Sequence, residues 1–344
     1  MKSPANTPKT RLIMLQTLCV PCANRCRYCL LSASGSKANG ADWDRSVAFA
    51  KSFQKMLAET RPEIGFNFSF GYSMEHPKLL EAIDFMNAIS SVGGSFLQFD
   101  GMNMRSDAEL DGLFCSLKAH AVEKLSFTFY GTEAYHDRFA AREGDFDLML
   151  RSIRSALKAG LAVGARMPLT SESIGMAEEL YGVLRGIGDV DLRLFIPHGE
   201  GRGALIEPIR LKKSEFNALS DEMKSHMDTS YYRTEGEWCR MAERGEAPLG
   251  KDRTLIITLT KDNIERMENT PVEDIIAETE GLDEAYYAAF PSFEELAETL
   301  GDRDGERMFS HRDLFHYYRK CYAREHGIEV YDVTDETQTG SRRL

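Results

Sequence analysis

Short apolar segments alternate with amphipathic helical segments over the first two-thirds of the chain. The segment after the first predicted strand carries Trp43, Val47, Ala50, Phe53 and Leu57, which share one helix face. Alternation of this kind implies right-handed crossovers and a parallel sheet. The six predicted strands span residues 12–18, 64–70, 95–100, 124–130, 162–168 and 191–196. The pattern therefore predicts an α/β fold, either a partial barrel or a doubly wound sheet.

Several of these strands alternate apolar and polar residues. In residues 125–129, Leu125, Phe127 and Phe129 alternate with Ser126 and Thr128, and successive side chains of a strand point to opposite faces. The apolar face can pack on helices while the polar face lines a wet interior. This favours a partial (β/α)6 TIM-like barrel that holds a substrate over a solvated antiparallel sheet. The predicted inner-face residues are Gln16, Asn67, Ser69, Gln98, Asp100, Ser126, Thr128, Arg166 and Arg193.

The pattern changes after residue 193. A glycine-rich loop at 197–203 is followed by a predicted helix at 214–227, and residues 255–259 with the turn at 261–263 look like a hairpin. The end of the chain is helical and acidic. We therefore expect a smaller α+β C-terminal cap. The predicted units are a disordered N-terminus at 1–10, the barrel at 11–235, the cap at 236–334 and a tail at 335–344.

Charge and apolar patterning restrict the partners of the chain. Its formal net charge is −12, whereas a nucleic-acid backbone or an anionic membrane attracts clustered Lys and Arg. We therefore expect neither as a partner. Because no apolar run is long enough to cross a bilayer and no signal core follows the N-terminus, we expect a cytoplasmic protein.

Four of the seven cysteines fall within eleven residues, directly after the first predicted strand. In a reducing compartment such crowding indicates metal binding. Three thiolates at Cys22, Cys26 and Cys29 can ligate three irons of one cubane and leave the fourth open. An open position is typical of a catalytic metal site. The alternatives are a ferredoxin-like electron carrier and a non-catalytic zinc-binding or scaffold protein that also uses Cys19.

The spacing Cys22-x3-Cys26-x2-Cys29, with Tyr28 before the last cysteine, resembles the radical S-adenosylmethionine (radical SAM) superfamily. That resemblance implies one [4Fe–4S] cluster and S-adenosylmethionine (SAM) as cofactors. It also implies reductive cleavage of SAM to a 5′-deoxyadenosyl radical, which abstracts hydrogen from a substrate. The fold it implies is a partial (β/α)6 barrel with the cluster loop after strand one. A flavodoxin- or ferredoxin-type protein would supply the electron.

The resemblance also suggests residues that bind SAM, and Tyr28 is one of them. Residues 70–77 stand where the family carries a Gly-Gly-Glu-Pro segment; Gly71 matches that segment, and Tyr72 replaces its acidic residue. Ser126 or Thr128 would offer a hydroxyl to the ribose, and Arg166 would bind the methionine carboxylate. The alternative for Arg166 is an internal ion pair with Asp100, because an unpaired buried charge is costly.

Two further segments, at 130–146 and 199–203, resemble the SPASM and twitch subgroup, which modifies peptides. His136 in the first segment could be a general base or a satisfied loop contact. The C-terminal domain of the subgroup binds auxiliary clusters through several cysteines. Here Cys239 and Cys321 are too few, so we expect a degenerate cap and a single cluster.

Lone cysteines have another use in this chemistry. Cys239 is our candidate catalytic residue, a thiol that returns a hydrogen atom to a substrate radical, with a packed structural cysteine as the alternative. Cys115 lies in an apolar helix and is expected to be a buried, inert thiol. The resemblance implies as substrate a ribosomal peptide, or else a small molecule such as a sugar or amino-sugar intermediate of a natural product.

Overall fold

The computed structural model describes residues 9–17, 22–29, 39–71, 74–91, 96–248 and 252–328. The strands are β1 (Lys9–Thr17), β2 (Gly65–Ser69), β3 (Phe96–Gln98), β4 (Lys124–Thr128), β5 (Ala162–Pro168), β6 (Val190–Phe195), β7 (Tyr232–Thr234), β8 (Asp252–Leu259) and β9 (Met308–Ser310). The first six begin within three residues of the predicted starts. Among the described residues, none of the helices combines the length and apolarity that a membrane span requires.

Helices occupy the connections between these strands. They are α1 (Trp43–Thr60), α2 (Leu79–Ile89), α3 (Asp107–Ala119), α4 (Glu133–Ala140), α5 (Asp145–Lys158), α6 (Ala177–Ile187), α7 (Lys213–Asn217), α8 (Asp221–Ser225), α9 (Glu235–Glu243), α10 (Ile264–Glu268), α11 (Val272–Ala288), α12 (Phe293–Leu300) and α13 (His311–His326). Side-chain hydrogen bonds cap the N-termini of several of these helices. Ser106 and Glu109 form a capping box at α3, and Thr234 and Glu237 form one at α9.

The strands of the first two-thirds are parallel. One sheet has the order β2-β1-β8 and a second has the order β3-β4-β5-β6, with helices in the connections. The described residues include no ladder between β2 and β3. The chain therefore has the α/β fold that was predicted, with parallel strands alternating with helices as in a partial (β/α)6 barrel.

Strand β8 corrects the predicted hairpin at 255–263. It pairs in parallel with β1, with Leu255 beside Ile13 and Leu259 beside Thr17, and the turn after it leads into α10 rather than a return strand. Helices α10 and α11 then pack against α1. The apolar residues Leu255, Ile257 and Leu259 are buried in the same core as β1. Burial beside β1 explains why this strand is strongly apolar.

The register of the sheets aligns polar residues on one face. Gln98, Ser126, Gly164 and Asp191 lie side by side on β3 to β6. One step toward the carboxyl ends, Thr128, Arg166 and Arg193 form the next row. In the other sheet Gln16 lies between Ser69 and Thr258, and its amide donates to the Thr258 hydroxyl at 2.9 Å. The predicted polar face is thus present at these positions.

The apolar side chains form two main clusters. The larger one surrounds the parallel strands, where Phe99 packs on Phe114 and Phe127. The second joins α9, α12, β9 and α13 through buried residues that include Trp238, Leu296, Phe309 and Tyr318. We refer to the second cluster and the elements that carry it as the cap. Residues after 250 contribute to both clusters. The predicted boundary near residue 235, between the barrel and the C-terminal region, stays a prediction.

Candidate functional site

The cysteine loop, residues 22–29, lies beyond the carboxyl end of β1. Its backbone is held by segments that follow two other strands. Ala23 N donates to the carbonyl of Gly101 at 2.8 Å, Arg25 N to that of Ala140 at 2.9 Å, and Arg27 N to that of Phe139 at 2.8 Å. These bonds tie the loop to the segment after β3 and to the end of α4. The loop is therefore placed by the carboxyl side of the sheet, where active sites of α/β proteins are found.

Gly101 contacts the first cysteine directly. Its φ is +65°, and a β-carbon built on it would lie 2.0 Å from Cys22 Sγ. Both the left-handed backbone and the lack of space require glycine at this position. The thiol of Cys22 thus packs directly against the backbone of Gly101, just after β3.

The three loop cysteines are free and half-buried. Burial raises the pKa of the Cys22 thiol to about 11, and the neighbouring Cys29 and Asp100 act in the same direction. Burial also raises the pKa of Cys26, opposed by a hydrogen bond from Tyr130 and reinforced by Cys22 and Cys29. The thiols are therefore near enough to influence one another. Among the described residues, no three Cys, His, Asp or Glu side chains converge as a ready metal site.

Three thiols on one short loop fit an iron–sulfur cluster by their chemistry. Thiolate is the ligand that such clusters use, and metal binding displaces the protons that burial keeps on Cys22 and Cys26. Cys22, Cys26 and Cys29 could hold three corners of one cluster. Cys19, which the alternative zinc site would also use, lies outside the described residues.

Three aromatic side chains pack together beside Cys26. The hydroxyl of Tyr130 donates to Cys26 Sγ at 3.1 Å, and its ring stacks on Phe139 with centroids 4.4 Å apart. Tyr28 meets the same two rings edge-on, at 5.7 Å from Phe139 and 6.2 Å from Tyr130. Burial raises the pKa of both tyrosines, so they remain neutral. Tyr28, predicted to bind cofactor, here packs the loop onto α4.

A buried polar network anchors the other side of the loop. Asn24 donates from Nδ2 to Asp145 Oδ2 at 2.9 Å, and His136 Nε2 lies 3.0 Å from the same oxygen. Tyr130 N donates to His136 Nδ1 at 3.2 Å, which places the imidazole proton on Nε2. Arg142 donates to Asn24 Oδ1 at 3.0 Å and lies 3.6 Å from Asp145. Since both ring nitrogens of His136 are engaged, the structure favours a loop contact over a general base.

The predicted SAM-binding side chains on β4 are buried, and Thr128 is hydrogen-bonded to Asp100. Asp100 accepts from Thr128 N at 2.8 Å, from the Thr128 hydroxyl at 2.9 Å and from the Gln98 amide at 2.7 Å. Burial raises the pKa of Asp100. Ser126 lies on the same face of β4 and is also buried. Asp100 thus belongs to the polar inner face, and the next residue, Gly101, contacts the cysteine loop.

The remaining predicted residues lie farther along the sheet edge. Arg166 is exposed on β5, between Thr128 and Arg193 in the register. Gly71 follows β2 with φ +81°, and its N–H bonds to the Ser69 hydroxyl at 3.2 Å. Tyr72 lies outside the described residues. The assignment of these side chains to SAM stays a prediction.

Cys239 lies in the cap, not in the cluster around the parallel strands. It is buried on α9, with Sγ 3.5 Å from the Tyr318 hydroxyl, and burial raises the pKa of its thiol. Such packing is expected of a structural cysteine, and its role as a hydrogen donor stays a prediction. The expectation for Cys115 is wrong, because that thiol is exposed on α3.

Sequence reasoning missed the residues that place the loop. Gly101 carries no motif of its own. Asn24 lies inside the cysteine motif and Arg142 and Asp145 lie in the segment 130–146, but no positioning role was predicted for them. The glycine directly after the polar strand residue Asp100 was the one available signal, since a glycine there permits close backbone approach.

Comparison with solved structures finds radical SAM enzymes, as expected. Coproporphyrinogen III oxidase (HemN) from Escherichia coli, described as a radical SAM enzyme, is 14% identical, with 64% of this chain and 51% of that chain covered and a TM-score of 0.38. Streptococcus suis SuiB bound to precursor peptide SuiA is 9% identical, with coverage of 78% and 62% and a TM-score of 0.48. anSMEcpe with bound AdoMet and Cp18Cys peptide is 12% identical, with coverage of 92% and 98% and a TM-score of 0.43.

This chain thus spans about half the length of HemN and under two-thirds of that of SuiB. No protein-family model matches the sequence, and no curated protein matches it. Because these identities and TM-scores are low, the function is argued below from the residues of this chain.

Proposed function

We propose that this protein is a radical SAM enzyme with a single [4Fe–4S] cluster on Cys22, Cys26 and Cys29. The observation that carries the proposal is the placement of the three thiols. They stand on one loop beyond the carboxyl end of β1 and are braced by Gly101 and by the buried Asn24–Asp145 pair. When bound, the cluster would supply the electron that cleaves SAM to a 5′-deoxyadenosyl radical.

The chain's own residues would shape the site around that chemistry. Tyr130 orients Cys26 through its hydroxyl, and the Tyr28 and Phe139 rings keep water from that side of the loop. Thr128 and Ser126 present hydroxyls on the polar inner face, where Asp100 fixes the Thr128 rotamer. Arg166, exposed in the same row, would meet an anionic group such as the SAM carboxylate.

For the substrate, we propose that a peptide is modified, with a sugar or amino-sugar intermediate as the second candidate. The cap offers no set of thiols for a second cluster in the described residues, since Cys239 is paired with Tyr318 in the interior. A single cluster favours redox-neutral outcomes such as epimerisation or rearrangement.

Anaerobic turnover tests the proposal. Reconstituted protein, reduced and mixed with SAM, should form 5′-deoxyadenosine, and the Cys26→Ala variant should form none. The Cys115→Ala variant is the matched control, because Cys115 is exposed on α3, and it should retain full activity. Absence of 5′-deoxyadenosine from the iron-loaded wild type would refute the proposal.

The alternative hypothesis, a non-catalytic zinc-binding or scaffold protein, predicts a different metal. Such a protein would be colourless, would hold zinc, and would need Cys19 together with the three loop cysteines. The radical SAM proposal instead expects a brown protein with iron and sulfide whose metal content survives Cys19→Ala.

A further inference from the structure

A basic groove of about 420 Å³ lies at the edge of the cap, between α7, β7 and α9. It stands out in a chain whose net charge is −12. Its volume lies within the range of ligand-binding pockets, roughly 300–1,000 Å³. The lining residues used below are Lys213, Tyr232, Arg233, Arg240, Arg244 and Met308.

Three of its cations make no ion pair in the described part of the chain: Lys213, Arg233 and Arg240. Lys213 and Arg233 are also half-buried, and partly desolvated cations gain more from an anionic ligand than fully exposed ones. Arg244 pairs with Glu246 at 2.8 Å, but both side chains are more than half exposed. Such exposed pairs contribute little and exchange readily.

Two of the cations, Arg233 and Arg240, are held in place before any ligand arrives. Arg233 donates from a terminal nitrogen to the Ser230 carbonyl at 3.0 Å, and its guanidinium lies 5.2 Å from the Trp238 ring centroid. Arg240 donates to the Arg303 carbonyl at 3.1 Å. Both use a backbone carbonyl as an anchor and leave other N–H groups for a ligand. Pre-organisation of this kind reduces the entropy cost of binding.

The one carboxylate of the lining, Glu237, has a structural role in the capping box of α9. Its Oε2 accepts from Thr234 N at 2.7 Å. Met308, which is buried, and the half-buried Met241 add apolar lining. The groove therefore combines an apolar lining with several positive charges. Its one carboxylate, Glu237, is already hydrogen-bonded to the backbone.

The cations come from separate elements rather than converging on one point. Arg240 lies on α9 and Arg244 caps the end of that helix, while Arg233 lies on β7 and Lys213 on α7. A single phosphate is bound best by converging donors. Carboxylates spaced along a flexible chain match distributed cations better.

We propose that this groove binds an acidic peptide segment, rich in Asp and Glu, of the substrate. The proposal deepens the proposed function by naming the substrate class, and the binding itself does not require the cluster. The acidic residues would pair with Lys213, Arg233 and Arg240 while the chain between them lies over the methionines.

Fluorescence anisotropy with labelled octaglutamate tests this site on the full-length holoenzyme. The wild type should bind octaglutamate, with affinity falling as salt rises, and should not bind octaglutamine. The double variant Lys213→Glu/Arg240→Glu should bind roughly tenfold or more weakly, since each reversal removes a favourable pair and adds repulsion. Arg154→Glu, an exposed cation on α5 with no described partner, is the control and should stay within about twofold.

Three outcomes would overturn the proposal: unchanged octaglutamate binding by the double variant, equal binding of octaglutamine, or tighter binding of an oligothymidylate of the same charge. Circular dichroism checks that the variants are folded. Formation of 5′-deoxyadenosine without peptide, measured on the same samples, separates the two proposals. Octaglutamate binding by a protein that forms no 5′-deoxyadenosine would support the groove and refute only the radical SAM activity.

Discussion

Two thiols of this protein, half-buried Cys26 and buried Cys239, each face a tyrosine hydroxyl, yet their surroundings differ. Cys26 in the loop lies 3.1 Å from the Tyr130 hydroxyl, and Cys239 in the cap lies 3.5 Å from that of Tyr318. Cys26 has two further thiols beside it, on a loop held by polar side chains. Cys239 is surrounded by the apolar cluster of the cap. A tyrosine hydroxyl partner is therefore common to both, and the presence of neighbouring thiols distinguishes a candidate ligand from a packed cysteine.

The largest expected effect comes from Gly101→Ala. The new methyl group would occupy the place of Cys22 Sγ, and a left-handed φ costs a non-glycine residue about 1–2 kcal/mol. We expect the iron content to fall more than tenfold while the cap stays folded. Gly160→Ala is the control, because Gly160 has φ +76° but no atom within 4 Å of the new methyl. It should lose some stability and keep its iron; equal iron loss in both variants would contradict the account.

Asp145→Ala should produce the next largest effect. The aspartate side chain is 2% exposed and binds Asn24 and His136, so its loss leaves these buried groups without their partner. Breaking a buried network of this kind costs about 3–5 kcal/mol, measured by urea unfolding. Asp147→Ala removes an exposed acid from the same helix and should cost under about 1 kcal/mol. A similar loss in the two variants would show that the network does not support the loop.

The two tyrosines should respond differently to removal of the hydroxyl. Tyr130→Phe removes one neutral hydrogen bond to Cys26 and should lower the free energy of unfolding by about 0.5–1.5 kcal/mol. Tyr318 also donates to buried Glu235 at 3.0 Å, and hydrogen bonds to charged groups contribute about 1.5–3 kcal/mol. Tyr318→Phe should therefore cost more. The opposite order in a denaturant titration would overturn this comparison.

The smallest effect concerns alkylation of Cys239. Burial raises the pKa of the Cys239 thiol above the usual 9.0. The protonated thiol therefore contributes to the stability of the folded protein below pH 9, and this contribution is lost at higher pH. Iodoacetamide should label exposed Cys115 first and Cys239 only slowly. Labelling of Cys239 should still increase with pH above 9. Mass spectrometry showing Cys239 labelled as fast as Cys115 at pH 8 would contradict its burial.

The sequence predicted the local features of this fold well. Strands β1 to β6 follow from apolar alternation, and the loop follows from three cysteines next to a strand. The parallel pairing of β8 with β1 was missed, because it joins residues more than 240 positions apart and the turn after β8 suggested a hairpin. Cys115 was placed inside because its neighbours are apolar, but it lies off the buried stripe of Leu110, Phe114 and Leu117.

The contacts of the loop could not be read from sequence either. Asn24 and Asp145 are 121 residues apart, and only the folded sheet brings the segments after β1, β3 and β4 together. Polar networks of this kind depend on tertiary geometry rather than on a local pattern. The three candidate ligands could thus be proposed from the sequence, while the residues that position them could not.

The metal content of cysteine variants tests the central claim most directly. After anaerobic reconstitution, the wild type, Cys19→Ala and Cys239→Ala should each hold about four irons and four sulfides per chain, as one cubane requires. Cys22→Ala, Cys26→Ala and Cys29→Ala should each lose most of that iron. Zinc in place of iron, or loss of the metal in Cys19→Ala with retention in Cys26→Ala, would contradict a three-thiolate cluster.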